Sequence, residues 1–242
     1  MATPRACHWT DSVDNSDDLD EGGVAADRPV TRLDSARLPT IYGEFHATVY
    51  RDQIGTEHMA LRMGDLPADV TPLVRIHSEC LTGDALGSVR CDCRDQLSTA
   101  LLRIAEEGCG VIIYLRQEGR GIGLANKIRA YSLQDGGLDT VDANLHLGFP
   151  ADSRSYSIAA EILRDLGVGR IRLLTNNPQK IEDLEAAQIQ VVERVALRTP
   201  PRPENQYYLQ TKADKMGHLF GDMLVPRTVK VSGDQGVDSS ME

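Results

Sequence analysis

The sequence predicts an α/β fold of mixed α+β character: a single domain in which one mixed sheet is flanked by helices. Three observations carry this expectation. Apolar segments of strand length alternate with segments of helical periodicity between residues 93 and 195. Glycines and an Asn-Pro pair punctuate the helical segments where their period runs out. Two loosely alternating stretches precede that series and suit antiparallel strands near a sheet edge.

Taken in order, residues 1–38 are rich in Asp, Ser, Gly and Ala and poor in large apolar groups, a composition that cannot offset its ordering entropy and is expected to form a disordered acidic tail. Ile41 to Tyr50 and His58 to Met63 are the two edge-type strands, and Leu73 to Ile76 is a third strand. After Cys93, the residues Leu97, Ala100, Leu101, Ile104 and Ala105 recur at three- and four-residue intervals and Gly108 follows, which predicts a helix with one buried stripe and a glycine stop. Val111 to Leu115 reads as a buried strand, Ile122 to Leu133 as a helix, Ile158 to Leu166 as a helix ended by Gly167, and Ile171 to Leu174 as a strand. Asn177 and Pro178 supply a cap and a first-turn residue for a helix over Ile181 to Ala187, and Ile189 to Val195 is strand-like. A Pro-rich break past Pro200 leads to a polar helical stretch from Glu204 to about Phe220, so the folded domain is expected over 39–220, with 221–242 a loose second tail.

Composition narrows the function classes. The chain of 242 residues carries 26 basic and 36 acidic side chains, a formal charge of −10, which disfavours a protein built to grip a nucleic-acid backbone through a broad basic surface. The apolar runs are too short to cross a bilayer, and the acidic opening lacks the basic start and apolar stretch of a secretory signal, so a cytoplasmic location with no membrane contact is expected. Five cysteines, an odd number without an export signal, argue for reduced thiols used in metal binding or catalysis rather than a disulfide framework.

Three of those cysteines form C-x10-C-x-C: Cys80, Cys91 and Cys93. Three thiolates leave one tetrahedral position open, and catalytic zinc uses such a position to hold water whose pKa falls toward neutrality. Arg90 and Arg94 flank the last two and favour thiolates. A closed structural site completed by His77, and reduced cysteines serving as small apolar groups, are the alternatives. The run Glu118, Gly119, Arg120, Gly121 to Gly123 permits close backbone approach to an anion, yet it is neither a Walker loop nor a full dinucleotide fingerprint, and a plain strand-to-helix turn is its bland reading.

The blocks RIHSECLTGDALGSVRCDCRDQL from Arg75, LRQEGRGIGLANKIRAYSLQD from Leu115, TVDANLHLGFPADSRSY from Thr140 and LLTNNPQKI from Leu173 resemble GTP cyclohydrolase II closely, in that family's order, over roughly Leu38 to Phe220. The resemblance implies a catalytic domain over 39–220 that hydrolyses GTP to formate, pyrophosphate and a diaminopyrimidinone ribosylamino phosphate, the first committed step toward riboflavin. It implies one zinc ion per chain on Cys80, Cys91 and Cys93, magnesium accompanying the triphosphate, a homodimer, and no nucleic-acid or membrane partner. By the same resemblance Arg75, Ile76, His77, Ser78, Glu79, Gln96, Glu118, Gly119, Arg120, Thr140, Thr175 and Lys180 match GTP-binding positions.

Their chemistry suits the task. Arg75, Arg120 and Lys180 can neutralise phosphates, and a carboxylate such as Glu118 can accept from the two donors on guanine's Watson–Crick edge. Asp152 and Arg154 match the family's proton acceptor and nucleophile for the phosphate step, and Tyr131 a position beside the ring-opening centre. Presenting a guanidinium neutral at pH 7 costs roughly 8 kcal/mol, so Arg154 as a cationic stabiliser stands beside Arg154 as nucleophile. For His218, near the chain's end, an ordinary polar surface position is expected.

Overall fold

The computed structural model describes residues 28–220. Its seven-stranded mixed sheet runs in the order β1, β2, β3, β5, β4, β6, β7. Strands β1 (Val30–Thr40), β2 (Gly43–Asp52) and β3 (Glu57–Met63) form an antiparallel meander. That meander is joined antiparallel to β5 (Gly110–Leu115). Strands β4 (Leu73–Ser78), β5, β6 (Arg170–Leu174) and β7 (Gln190–Val195) make the parallel half. The helices are α1 (Leu81–Asp84), α2 (Cys93–Glu107), α3 (Gly123–Asp135), α4 (Thr140–His146), α5 (Ser157–Asp165), α6 (Pro178–Ala186) and α7 (Gln206–Met216). No helix among the described residues is long and apolar enough to cross a membrane.

Parallel strands buried on both faces need apolar side chains pointing both ways, and the sequence supplies them. On one face Val74, Ile76, Val111, Ile113 and Leu173 pack with Ala159, Ile162 and Leu163 of α5 and Leu184 of α6. On the other Leu73, Ile112 and Leu174 pack with Ala100 and Ile104 of α2. The helix ends follow their caps. Gly108 closes α2 at φ +68, and the Asn177 side chain accepts the Gln179 N–H at 3.0 Å, so α6 starts at Pro178, three residues before its apolar periodicity does.

The tail expected over 1–38 is too long. Residues 30–38 lie within β1, paired with β2 from Val30 opposite Asp52 to Thr40 opposite Gly43, while residues 1–27 and the second tail at 221–242 lie outside the described residues. The reason is physical. An edge strand is held by backbone hydrogen bonds that composition does not report, and after Val30 nearly every β1 side chain is exposed. Arg32 adds a tie, donating to Asp165 of α5 at 2.8 Å, where the buried Tyr50 hydroxyl also donates at 2.7 Å. The helix α4 was not expected either, although Asp139 caps it by accepting the N–H groups of Val141 and Asp142.

One glycine in the sheet fixes how closely α2 can approach. A Cβ at Gly110 would lie 2.5 Å from the Leu73 carbonyl oxygen and 2.9 Å from Ile104 Cγ1. Backbone and a packed core side chain cannot both retreat, so Gly110→Ala is expected to destabilise the domain by about 1–3 kcal/mol. A lowered urea midpoint with an unchanged m-value would register it, and an unmoved midpoint would contradict it.

Candidate active site

From β4 the chain crosses through α2 to β5 on one side, and the later strand β6 pairs on the other side of β4. The order therefore reverses at β4, and the crevice beyond the carboxyl ends of β4, β5 and β6 is where such sheets bind ligands. Here that crevice is lined by residues that follow those ends: Ser78, Glu79 and Cys80, then Gln117 and Glu118, then Thr175, Asn176 and Asn177.

Cys80 immediately precedes the short α1 and Cys93 is the first residue of α2, so the Cys93 sulfur sits at a positive helix end. The Sγ atoms of Cys80, Cys91 and Cys93 lie within 4.8 Å of one another, with Cys80 and Cys91 3.7 Å apart. Zinc–sulfur bonds of about 2.3 Å in a tetrahedron place sulfurs about 3.8 Å apart, so the donor set fits a metal of that type. None of the three is in a disulfide. Gly83 backs the cluster: a Cβ there would lie 2.8 Å from Cys91 Sγ and 3.0 Å from Cys80 Sγ. Hydrogen bonds from Cys91 and Cys93, with Lys127 nearby, push Cys80 down, and the bond to that sulfur pushes Cys91 up to about 11.

His77 is not a fourth ligand. Its Nε2 meets the Asp84 carboxylate at 3.0 Å, and the metal-type cluster comprises the three cysteines alone among the described residues. Asp84 Oδ2 also accepts from the Cys80 N–H and the Tyr114 hydroxyl, each at 2.9 Å, and so positions both the histidine and the cysteine. Burial pushes the His77 imidazolium down. The cation that touches sulfur is Lys127, with Nζ 3.1 Å from Cys80 Sγ. Arg90 instead bonds Asp135 at 2.6 Å and lies 5.0 Å from the centre of the Tyr131 ring. Tyr131 is 3.4 Å from Thr82 Oγ1, which is itself 3.7 Å from Cys80 Sγ, and burial pushes its phenol up to about 12, so it is a protonated donor at neutral pH.

The other half of the crevice is cationic. Arg75, Arg120, Arg154, Lys180 and Lys212 all line it. Burial pushes Arg75 down to about 10 although Asp92 opposes it, and Lys180 is pushed well down first by burial and then by the neighbouring cations Arg75, Arg154 and Lys212. Such a cluster is relieved by a polyanion. Five buried polar atoms on residues lining the crevice have no protein partner: Arg75 Nε, Arg120 Nη2, Gln134 Nε2, His77 Nδ1 and His218 Nε2. Buried polar atoms are seldom left unpaired, so orphans on one crevice wall are the groups there with capacity to bond a ligand. Gly119 and Arg120 both hold φ of +62, a left-handed turn that costs a non-glycine residue about 1–2 kcal/mol. Strain of this kind persists where the surrounding structure demands it, and it sets the Arg120 side chain into the crevice.

Most expected residues converge here. Arg75, His77, Ser78, Glu79, Gln96, Glu118, Gly119, Arg120, Tyr131, Thr140, Arg154, Thr175, Lys180 and the three cysteines line one crevice. Ile76 does not: its side chain is in the core, and only its carbonyl serves the site, accepting Lys180 Nζ at 2.8 Å. Asp152 stands behind the lining and binds Arg154, accepting Nε at 2.8 Å and Nη2 besides. Burial opposes the Arg154 charge, but Tyr156 and Asp152 outweigh it and hold the guanidinium above its usual pKa. Glu118 is committed elsewhere than guanine: Oε1 accepts Lys127 Nζ and the Gly119 N–H, each at 2.8 Å, and Oε2 accepts the Leu81 N–H at 2.7 Å.

Sequence reasoning missed the contribution of α7 and of the residues just after it. Tyr208, Lys212 and His218 line the crevice, which corrects the surface position expected for His218; burial pushes its imidazolium down to about 2, leaving it neutral. Lys212 reaches Asp92, which lies between two of the cysteines, at 3.4 Å; Asp92 also accepts from Thr199 at 3.2 Å and from Gln96 at 2.6 Å, and Gln96 in turn accepts Arg75 Nη2 at 2.6 Å. Lys127 was legible in principle, since it precedes Tyr131 by four residues on one helix face.

Comparison with known proteins gives matches of three kinds. The sequence model of the family described as GTP cyclohydrolase II matches residues 31–196. The riboflavin biosynthesis protein RibBA of Bacillus cytotoxicus is 57% identical over 192 residues, covering 79% of this chain and 48% of that protein. RibBA of Bacillus cereus (strain ATCC 14579) is 58% identical over the same length and coverage. The chain thus spans about half the length of the curated relatives it matches. Among solved structures, RibBX, a two domain 3,4-dihydroxy-2-butanone 4-phosphate synthase from A. baumannii, is 25% identical over 61% of this chain and 34% of that one, with a TM-score of 0.35.

Proposed function

The chain belongs to the GTP cyclohydrolase II family, and on that premise we propose that it hydrolyses GTP to formate, pyrophosphate and a diaminopyrimidinone ribosylamino phosphate, using one zinc ion on Cys80, Cys91 and Cys93. The observation that carries the reading is the joining, in one crevice, of a three-sulfur cluster with the cations Arg75, Arg120, Arg154 and Lys180. One half suits attack on a purine ring, the other a triphosphate.

Zinc, when bound, supplies Lewis acidity that makes hydroxide available near neutral pH for attack at carbon eight. The protein's own groups do the rest. Tyr131, neutral and beside the sulfur cluster, donates a proton during ring opening. Arg75, Arg120 and Lys180 take the phosphate oxygens, with magnesium accompanying the triphosphate, and Thr140 and Thr175 offer hydroxyls along the same wall. Arg154 works as a cation on the charge that develops at the α-phosphorus, because Asp152 and Tyr156 stabilise its charged form. Asp152 fixes the guanidinium plane through its paired bonds. With Glu118 engaged, Glu79 is the carboxylate on the crevice wall that can read guanine. The same family reading includes a homodimer and a cytoplasmic setting.

The test is incubation with GTP, zinc and magnesium while formate, pyrophosphate and the pyrimidine are followed separately. All three are expected in equal amounts. Formate without pyrophosphate, or neither, would refute the reaction, and a trapped guanylyl adduct on Arg154 would replace the stabiliser role with a covalent one.

A further inference from the structure

Lys127 is buried in the middle of α3 and touches both halves of the site at once. Its Nζ donates to Cys80 Sγ at 3.1 Å and to Glu118 Oε1 at 2.8 Å, and it stands 5.7 Å from the centre of the Tyr131 ring. The side chains of Lys127 and Glu118 are 9% and 10% exposed, so this is a desolvated pair rather than a surface one.

Glu118 completes the link. Its second oxygen accepts the N–H of Leu81, the residue after Cys80, and its first also accepts the N–H of Gly119, the first of the two left-handed residues. The loop itself rests on the lysine, since a Cβ at Gly119 would lie 3.1 Å from Lys127 Cβ. One ammonium and one carboxylate therefore fasten the sulfur cluster to the loop that carries Arg120.

We propose that Lys127 is a positioning residue that stabilises the metal-bound thiolate of Cys80 and, through Glu118, couples metal loading to the geometry of the anion loop. The proposal rests on the zinc reading above. Three thiolates around a divalent ion sum to a charge of −1, and a buried ammonium against one sulfur offsets that excess. The N–H···S bond draws electron density from the sulfur and so leaves the ion a stronger Lewis acid. Because Glu118 is shared, the same contact resists rotation of the Gly119–Arg120 turn. Coupling of this kind is reciprocal: an anion that orders the loop also raises the affinity for the metal, and the proposal places that gain in slower release.

The experiment follows zinc release from the zinc-loaded full chain into a chromogenic chelator, with and without a non-hydrolysable GTP analogue. It compares the native protein with Lys127→Met, Lys127→Arg and Glu118→Gln. Lys127→Met is expected to release zinc about 10–100 times faster, the range seen when groups bonded to metal ligands are removed. Lys127→Arg, which keeps a donor and a charge, recovers most of the difference. The analogue slows release from the native protein but not from Lys127→Met or Glu118→Gln. Cobalt substituted for zinc gives a second readout, a shift of the thiolate-to-cobalt absorption band in Lys127→Met alone. Native rates and an unmoved band in Lys127→Met would overturn the proposal, as would an intact analogue effect in both variants. If Lys127→Met does not fold, the Lys127→Arg and Glu118→Gln comparison decides the coupling. A native protein that binds no zinc would instead overturn the metal reading, and the two failures are distinct.

Discussion

Gly83→Ala is expected to strip the protein of zinc and to lower GTP turnover at least about a hundredfold while leaving it folded. Two effects oppose one another at this position. Gly83 lies in α1 with no left-handed φ, so the backbone accepts alanine, and helix propensity favours it by up to about 1 kcal/mol. The added Cβ, however, would stand 2.8 Å from Cys91 Sγ, 3.0 Å from Cys80 Sγ and 3.1 Å from Cys93 Cβ. Relief requires the sulfurs to move, and a tetrahedral site tolerates displacements of only about 0.2 Å in its bond lengths. The steric term therefore decides metal binding and the propensity term decides folding. Metal analysis of the purified variant, beside Cys91→Ser as the reference for a lost ligand, measures the effect. A Gly83→Ala protein with one zinc per chain and native turnover would show that the cluster is not a metal site of this geometry.

Lys212→Met is expected to cost about 3–5 kcal/mol of folding stability, at least about a fifth of the roughly 5–15 kcal/mol that a domain commonly has. Asp92 is 1% exposed, and Lys212 Nζ is its cationic partner. Gln96 and Thr199 would still donate to it, but both are neutral, and a lone buried carboxylate cannot be rehydrated without opening the structure. Guanidinium chloride unfolding of the variant tests this, and adding Asp92→Asn should recover most of the loss, because removing both charges removes the uncompensated one. A shift below about 1 kcal/mol in the single variant would mean that the pair contributes no more than a surface ion pair.

The sequence made some of this legible and hid the rest for definable reasons. Periodicity located the helix after Cys93 and the strand at Val111 to Leu115 because each buries a regular set of side chains. It could not see β1, whose residues pair through the backbone and point outward, nor α4, whose seven residues span too few turns to show a period. The cysteine spacing made the three-sulfur cluster legible, since its members lie within fourteen residues and the fold brings their sulfurs together. The cationic wall is another matter. Arg75, Arg154, Lys180 and Lys212 come from four separated stretches, and only the fold brings them together. Glu118 shows the limit of reading chemistry from residue type: a carboxylate suited to guanine is here occupied by Lys127 and two backbone N–H groups. His218 shows the converse, a residue expected at the surface for its place near the chain's end that faces the crevice.

The central position of β4 also bears on the order in which the site can assemble. Leu73 of β4 pairs with Gly110 of β5, 37 residues on, and with Arg172 of β6, 99 residues on. The three sulfurs come from a stretch running only from Cys80 to Cys93, so a short loop closure suffices to gather them. The cationic wall has to wait until Arg154, Lys180 and finally Lys212 have been threaded into place, contacts of long sequence separation that form slowly. During refolding, gathering of the three sulfurs should therefore precede assembly of the cationic wall, with α7 closing the sequence of events.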